Sequence, residues 1–196
     1  MAVALDYQAG QTPLDADEAG QLIPRHIATQ DQLNEWEQAN IVDALKWLKR
    51  GRHDPVLTEP FCRELHRRMF RKTWAWAGTF RKSDKNIGCD WRQVPMRLRQ
   101  LLDNTRFWVQ DQVFPIDEIA TRFHHELVRV HAFPNGNGRH ARLMTDCLLR
   151  EMGATAFSWG GGANLVPAGN VRAVYLDALR AADIGDVKAL SAFVRS

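Results

Sequence analysis

His131, Asn135, Gly136, Asn137, Gly138, Arg139 and Arg142 fall within one stretch, "HAFPNGNGRHAR", residues 131–142. The flanking patterns make this the joint between two helices. His131 closes the first, where the negative dipole end favours a protonated imidazole. The glycines open the second, where free backbone N–H groups and the positive dipole end favour an anion. Gly136 and Gly138 admit left-handed or close-approach backbone that other residues resist, and alternating glycine and asparagine suits an anion nest. Arg139 and Arg142, three apart, share a helix face, and two guanidinium forks there suit more than one phosphate. Phe133 is the anchor of the loop. A proton acceptor beside a polyphosphate cradle is the arrangement for moving a phosphorus group onto a hydroxyl. A Gly/Asn connector with helix-capping residues is the alternative reading of the same types.

Rival motifs fail on spacing. "GNGRHA" lacks the Gly-Lys-Ser/Thr ending of a phosphate-binding P-loop, and in "HHELVRVH" the position that a zinc helix gives to its second histidine holds Arg129. His124, His125 and His140 read as structural or surface residues.

The elements that must position this loop follow from periodicity. Helical spacing runs through 29–50, with Thr29 or Asp31 as cap and Gly51 as stop. A second helix follows Thr58 with Pro60 in its first turn. "WAWAGTFRKSDKNIG" places a polar centre between aromatic and β-branched flanks, the pattern of a hairpin. Further helices cover 95–112, 115–133 and 139–153; in the first, Leu98, Leu101, Leu102 and Phe107 or Trp108 share a face, and in the second Ile116, Ile119, Phe123, Leu127 and Val130 form one stripe. "SWGGGANL" is a loop, and two short helices end the chain. Residues 1–28 read as an irregular surface arm, and Trp36, Trp47, Trp74, Trp76 and Trp108 as core.

Bulk composition bounds the function. Lys and Arg number 26 against 23 Asp and Glu, a net charge of +3 over 196 residues. That balance lacks the clustered excess of a nucleic-acid binder, so no direct nucleic-acid binding is expected. No apolar run approaches the ~20 residues that span a bilayer, so no membrane association is expected. The N-terminus lacks the basic n-region of a secretory signal. Cys62, Cys89 and Cys147 are scattered and odd in number, which points to free thiols and a cytoplasmic location.

The loop resembles the signature of Fic-domain proteins, His-x-Phe-x-Asp/Glu-Gly-Asn-Gly-Arg-x-x-Arg, at His131, Phe133, Gly136, Asn137, Gly138, Arg139 and Arg142. "WAWAGTFRKSDKNIG" looks like the Fic segment that ends in the target-binding flap, and "YLDALRAADIGDVKAL" like the Fic C-terminal helices. With "TPLDADEAGQLIPRHI" and "NEWEQANI", nearly the whole chain resembles the compact Fic branch called mobile mystery protein B. The expected fold is all-α, a Fic-fold helical bundle with one β-hairpin flap. The arm of 1–28 would precede a single Fic domain over 29–196, with an inhibitory helix at 29–50, the flap region at 74–90 and the motif helices and loop at 115–152.

The resemblance implies a protein adenylyltransferase that moves AMP from ATP to a Ser, Thr or Tyr hydroxyl of a target protein. His131 would take the hydroxyl proton, Gly136, Asn137 and Gly138 would hold the α- and β-phosphates with Arg139, and Arg142 would bind the γ-phosphate. Mg²⁺, or Mn²⁺, would bridge phosphate oxygens. Asn135 stands where an acidic metal ligand is usual; its amide oxygen is a hard ligand without charge. Gly138 stands where related γ-phosphate kinases have lysine, which favours AMP transfer. The family's inhibitory glutamate pairs with the second motif arginine, and Glu37, or else Glu35, matches it here, although Leu33 and Gln38 depart from the usual flanking residues. Arg81, Lys82, Ser83, Asp84, Lys85, Asn86 and Ile87 would form the flap, pairing with an extended target segment. An antitoxin or helix-turn-helix partner, and a toxin role, are further implications. The departure at Asn135 keeps open a weakly catalytic nucleotide-binding regulatory module, another Fic-type phosphotransferase, or the reverse, de-AMPylating reaction.

Overall fold

The computed structural model describes residues 12–51, 53–161 and 169–196. The described residues are helical: α1 Ala16–Ala19, α2 Gln30–Lys49, α3 Glu59–Phe70, α4 Val94–Gln110, α5 Ile116–Val130, α6 Asn137–Glu151, α7 Asn170–Asp183 and α8 Lys188–Arg195, with a 3₁₀ turn, Trp91–Gln93, leading into α4. Local chemistry explains several boundaries. The Thr29 hydroxyl accepts from the Gln32 N–H, which makes Thr29 rather than Asp31 the cap of α2, and the Thr58 hydroxyl accepts from the Phe61 N–H at the start of α3.

α5 and α6 form the central pair. α4 packs on α5, α3 meets α6 and α2, and α7 with α8 covers the opposite side. Two apolar clusters result. The larger joins Leu33, Leu48, Phe61, Leu65, Phe70, Trp74, Leu98, Phe123, Phe133, Met144 and Leu148. The smaller joins Leu149, Phe157, Trp159, Tyr175, Leu190 and Phe193. The motif loop sits where the central pair turns, with Phe133 buried and stacked on His66 at 3.7 Å between ring centroids.

Some apolar positions serve otherwise than expected. Trp74 and Trp76 are buried, Trp36 and Trp47 pack half-buried at the core edge, and Trp108 packs edge-on to Phe114. Phe107 and Ile116 point to solvent, because Thr105 and Ile119 take the inward positions of their helices.

Residues 74–90 do not form the expected β-hairpin; no strand occurs among the described residues. Leu22 and Trp74 make an isolated antiparallel bridge instead, which ties the N-terminal segment to the end of α3. The physical reason lies in Arg81. Its buried guanidinium donates to the carbonyls of Ser83 (2.8 Å) and Cys89, acceptors that a cross-strand partner would otherwise use, and to that of His131 (2.6 Å). Gly88 completes this packing: a Cβ there would stand 2.6 Å from the His131 Cβ.

Candidate functional site

His131 caps α5 in the left-handed region, φ 51° and ψ 57°, a conformation that costs a β-carbon-bearing residue about 1–2 kcal/mol. The Arg81 latch offsets this, holding the His131 carbonyl from its side chain and the Ala132 carbonyl from its backbone N–H at 3.0 Å. The imidazole is thereby buried at the rim of a cavity. Its Nδ1 makes no hydrogen bond among the described residues, and its Nε2 is 2.8 Å from the Thr12 hydroxyl. The helix dipole was expected to favour a protonated ring. Burial outweighs it, with the nearby Arg81 and Lys85 charges adding, and the pKa falls to about 4. The imidazole is neutral at pH 7, as a proton acceptor must be.

Gly136 begins α6 at φ 78°, and no side chain caps the helix. The first N–H groups of α6 therefore lack intrahelical acceptors. Gly136, Asn137 and Gly138 line the same cavity as His131. Asn137 contributes backbone only: its side-chain amide is spent on Phe133, accepting from its N–H (2.9 Å) and donating to its carbonyl (2.7 Å). Gly138 has only Arg142 near its missing Cβ, at 3.9 Å, so this glycine keeps space open rather than relieving strain. Gly136 differs, because a Cβ there would lie 2.6 Å from the Phe70 ring. Gly136→Ala is expected to cost about 1–3 kcal/mol through overpacking and left-handed strain, read as a lower urea midpoint at an unchanged slope; an unchanged midpoint would mean that the loop rearranges freely.

Arg139 and Arg142 line the cavity on the α6 side. Arg142 lies over the Tyr175 ring at 5.9 Å, and the Tyr175 hydroxyl bonds His124 at 2.8 Å. Arg139 packs over Phe70 at 4.9 Å and donates to Glu37 at 2.6 Å. The other Glu37 oxygen accepts from the Trp74 indole at 2.7 Å, and the side chain is buried. Glu35 is exposed on the far side of α2, against His26 and Ala39, and does not reach the cavity.

Asn135 spends its amide within the chain. Its Oδ1 accepts from the Gly136 N–H (2.6 Å) and its Nδ2 donates to the Thr12 carbonyl (2.9 Å). No group of three or more His, Cys, Asp or Glu side chains among the described residues could hold a metal ion. One neutral oxygen, already engaged, does not make a resident Mg²⁺ or Mn²⁺ site.

The expected flap residues divide by role. Arg81 is the buried latch. Ser83 donates to Asp15 at 2.5 Å, and Lys85 pairs with Glu18 (2.5 Å) and Asp15 (2.9 Å). Asp84 accepts from the Trp91 N–H at 2.9 Å. Lys82, Asn86 and Ile87 are exposed, and Ile87 lines the cavity.

Residues 56–149 match the family model described as the Fic/DOC family. Over these residues the chain is similar to the Fic/DOC family. It is similar to the protein adenylyltransferase Fic of Aedes aegypti, 27% identical over 135 residues, covering 67% of this chain and 26% of the relative. It is likewise similar to the protein adenylyltransferase fic-1 of Caenorhabditis elegans, 27% identical over 147 residues, covering 72% of this chain and 27% of the relative. The chain thus spans about a quarter of the curated relatives it matches, 26% and 27% of their lengths. The fold matches solved structures of Fic-1 from C. elegans (TM-score 0.65, 24% identity, 91% of this chain and 51% of that one) and of BepC from Bartonella tribocorum with bound AMPPNP (TM-score 0.68, 17% identity, 92% and 97%).

At the site itself, the glutamate contact differs from the expectation. Glu37 pairs with Arg139, the first motif arginine, and not with Arg142. Arg142 lies instead over the Tyr175 ring. Among the aromatic residues near the site, Tyr175 lines the cavity, whereas Trp159 is buried with its indole on Asp146 at 3.1 Å. Sequence reasoning missed Thr12, His66 and Trp74. His66 supports the loop as a fixed tautomer, its Nδ1 accepting from the Gly78 N–H (3.0 Å) and its Nε2 donating to the Asn135 carbonyl (3.1 Å). The period of α3 put His66 on the buried face; nothing local marked Thr12.

Four of the five buried histidines make the fold acid-sensitive. Burial holds His131 and His140 near pKa 4 and His124 near 3, and pushes His66 well below its usual value. The unfolded chain binds these protons near pH 6.5 and the folded chain refuses them. Their contribution is complete above pH ~6.5 and is lost as pH falls toward 4, each adding a slope of about 1.4 kcal/mol per pH unit. The melting temperature should drop by more than ~4 °C between pH 7.5 and 5.5; a flat profile would show these histidines protonated in the fold.

Proposed function

We propose that this chain transfers AMP from ATP to a protein hydroxyl. The observation that carries the reading is the contact of a neutral, buried His131 Nε2 with a hydroxyl at 2.8 Å, across one cavity from an uncapped helix N-terminus and two arginines. The adenylyltransferase names of the relatives support it. The acceptor hydroxyl gives its proton to His131 Nε2 as its oxygen bonds the α-phosphorus. Pyrophosphate leaves with the bond between the α-phosphorus and the bridging oxygen. The first N–H groups of α6, with Arg139, hold the α- and β-phosphates, and Arg142 takes the γ-phosphate. ATP would enter as its divalent-metal complex, the metal carried by the phosphates, since Asn135 offers little. Ile87 and the segment 82–87 would receive the extended target segment.

The same site supports autoinhibition. The Glu37 carboxylate occupies Arg139 where a phosphate would compete for it. The cavity holds about 180 Å³, below the roughly 300–1,000 Å³ of small-molecule sites. A toxin role, with an antitoxin or helix-turn-helix partner adding to this brake, fits such a design. The engaged amide of Asn135 favours the second reading, a nucleotide-binding regulatory module with weak catalysis. Incubation with α-labelled and γ-labelled ATP and a cell lysate separates the readings. Protein labelled from the α-position supports AMP transfer. Label from the γ-position alone replaces it with a kinase, and tight ATP binding without transfer supports the regulatory module.

A further inference from the structure

The N-terminal segment brings its own hydroxyl to the site. Thr12 is buried, lines the cavity shared by His131, Gly136, Gly138 and Arg139, and reaches a ring nitrogen 119 residues away in sequence. It is held there by more than this bond. Its carbonyl accepts from Asn135 Nδ2 at 2.9 Å. Three to six residues on, Asp15 and Glu18 are clamped by Ser83 and Lys85, and the Glu18 carbonyl accepts from the Trp76 indole at 3.1 Å. Residues 12–18 therefore dock against the segment 81–87, the one read as the landing place for a foreign target. Lys85 is nearly fully buried by this docking, its side chain 2% exposed.

A hydroxyl with a purely structural task has backbone carbonyls to bond. This one meets the nitrogen whose proton-accepting form the site protects. In the tautomer with its proton on Nδ1, Nε2 carries the lone pair and the Thr12 O–H is the donor.

We propose that Thr12 is an intramolecular acceptor, so that the chain adenylylates its own N-terminal strap. The proposal rests on the transferase reading above and names a substrate for it. The Thr12 oxygen bonds the α-phosphorus of ATP, its proton passes to His131 Nε2, and the bond from the α-phosphorus to the bridging oxygen breaks to release pyrophosphate. The product is a Thr12–AMP phosphodiester. Holding acceptor and base in contact removes the orientational cost of a bimolecular encounter, so the strap should react ahead of any foreign protein that must first displace it.

The test uses the full chain and its Glu37→Ala form, each with ATP, Mg²⁺ and lysate, read by intact mass and by peptide mapping. One adenylyl group is expected on the peptide containing residue 12, forming with a first-order rate constant independent of protein concentration. Thr12→Ser should retain it. Thr12→Val, which keeps the shape and loses the hydroxyl, should lose it while labelling lysate proteins faster. Lysate proteins labelled while Thr12 stays bare would overturn the acceptor assignment and leave the transferase reading standing. A first-order rate constant for Thr12 modification that rises with protein concentration would overturn the intramolecular route. No label on any protein from either form would remove both readings.

Discussion

His131→Ala should lower AMP transfer by about 10²–10⁴-fold, the usual contribution of a positioned general base. That is about 3–5 kcal/mol on the barrier. The loss should fall on kcat, because the groups assigned to phosphate binding lie on α6 and do not depend on the imidazole. Folding should survive: the Arg81 latch holds the main-chain carbonyl of residue 131, which any substitution keeps. His131→Asn is the sharper control. Asparagine tolerates the left-handed region that residue 131 occupies, so this variant keeps the loop geometry and still lacks the base. Both variants should bind ATP as the wild type does in calorimetry and transfer almost none of it. Full transfer by either would remove His131 as the proton acceptor.

Glu37→Gln should raise ATP affinity by about 10–100-fold, the worth of one charge-assisted hydrogen bond of roughly 1.5–3 kcal/mol returned to the phosphate. The argument is one of competition. Arg139 Nη1 lies 2.6 Å from the Glu37 carboxylate, and a phosphate must displace that carboxylate before the guanidinium can serve it. Glutamine keeps an oxygen for the Trp74 indole and loses the charge that holds Arg139. Glu37→Ala also frees Arg139, but it leaves the buried Trp74 N–H without its acceptor and should cost about 1–3 kcal/mol of stability. The two variants together separate brake from buttress: both should bind ATP more tightly and transfer faster, and only the alanine form should melt earlier. Unchanged affinity in both would show that Glu37 supports the fold and restrains nothing.

Much of the scaffold was legible in the chain. The 3.6-residue period of α5 and α6, the proline and acids that open α5, and the glycines between them placed an imidazole and an anion cradle on two sides of one joint. Thr29 and Thr58 marked helix starts because capping is a matter of three neighbouring residues. The segment 74–90 misled because its alternation is only half of a hairpin. The other half is a free row of carbonyls, and the Arg81 guanidinium had already taken them.

The sequence by itself determined the residues that could do the chemistry and the helices that carry them, since both depend on chemistry within a turn or two. Only the tertiary structure decided their state. Burial, a property of the whole packed core, makes His131 neutral against its helix dipole. The approach of α2 gives Glu37 to Arg139 and not to Arg142, and leaves Glu35 in solvent. The folding back of the N-terminal strap sets Thr12 on the base. Contacts across more than a hundred residues leave no periodic trace in a chain, because they are fixed by how elements pack and not by which elements form.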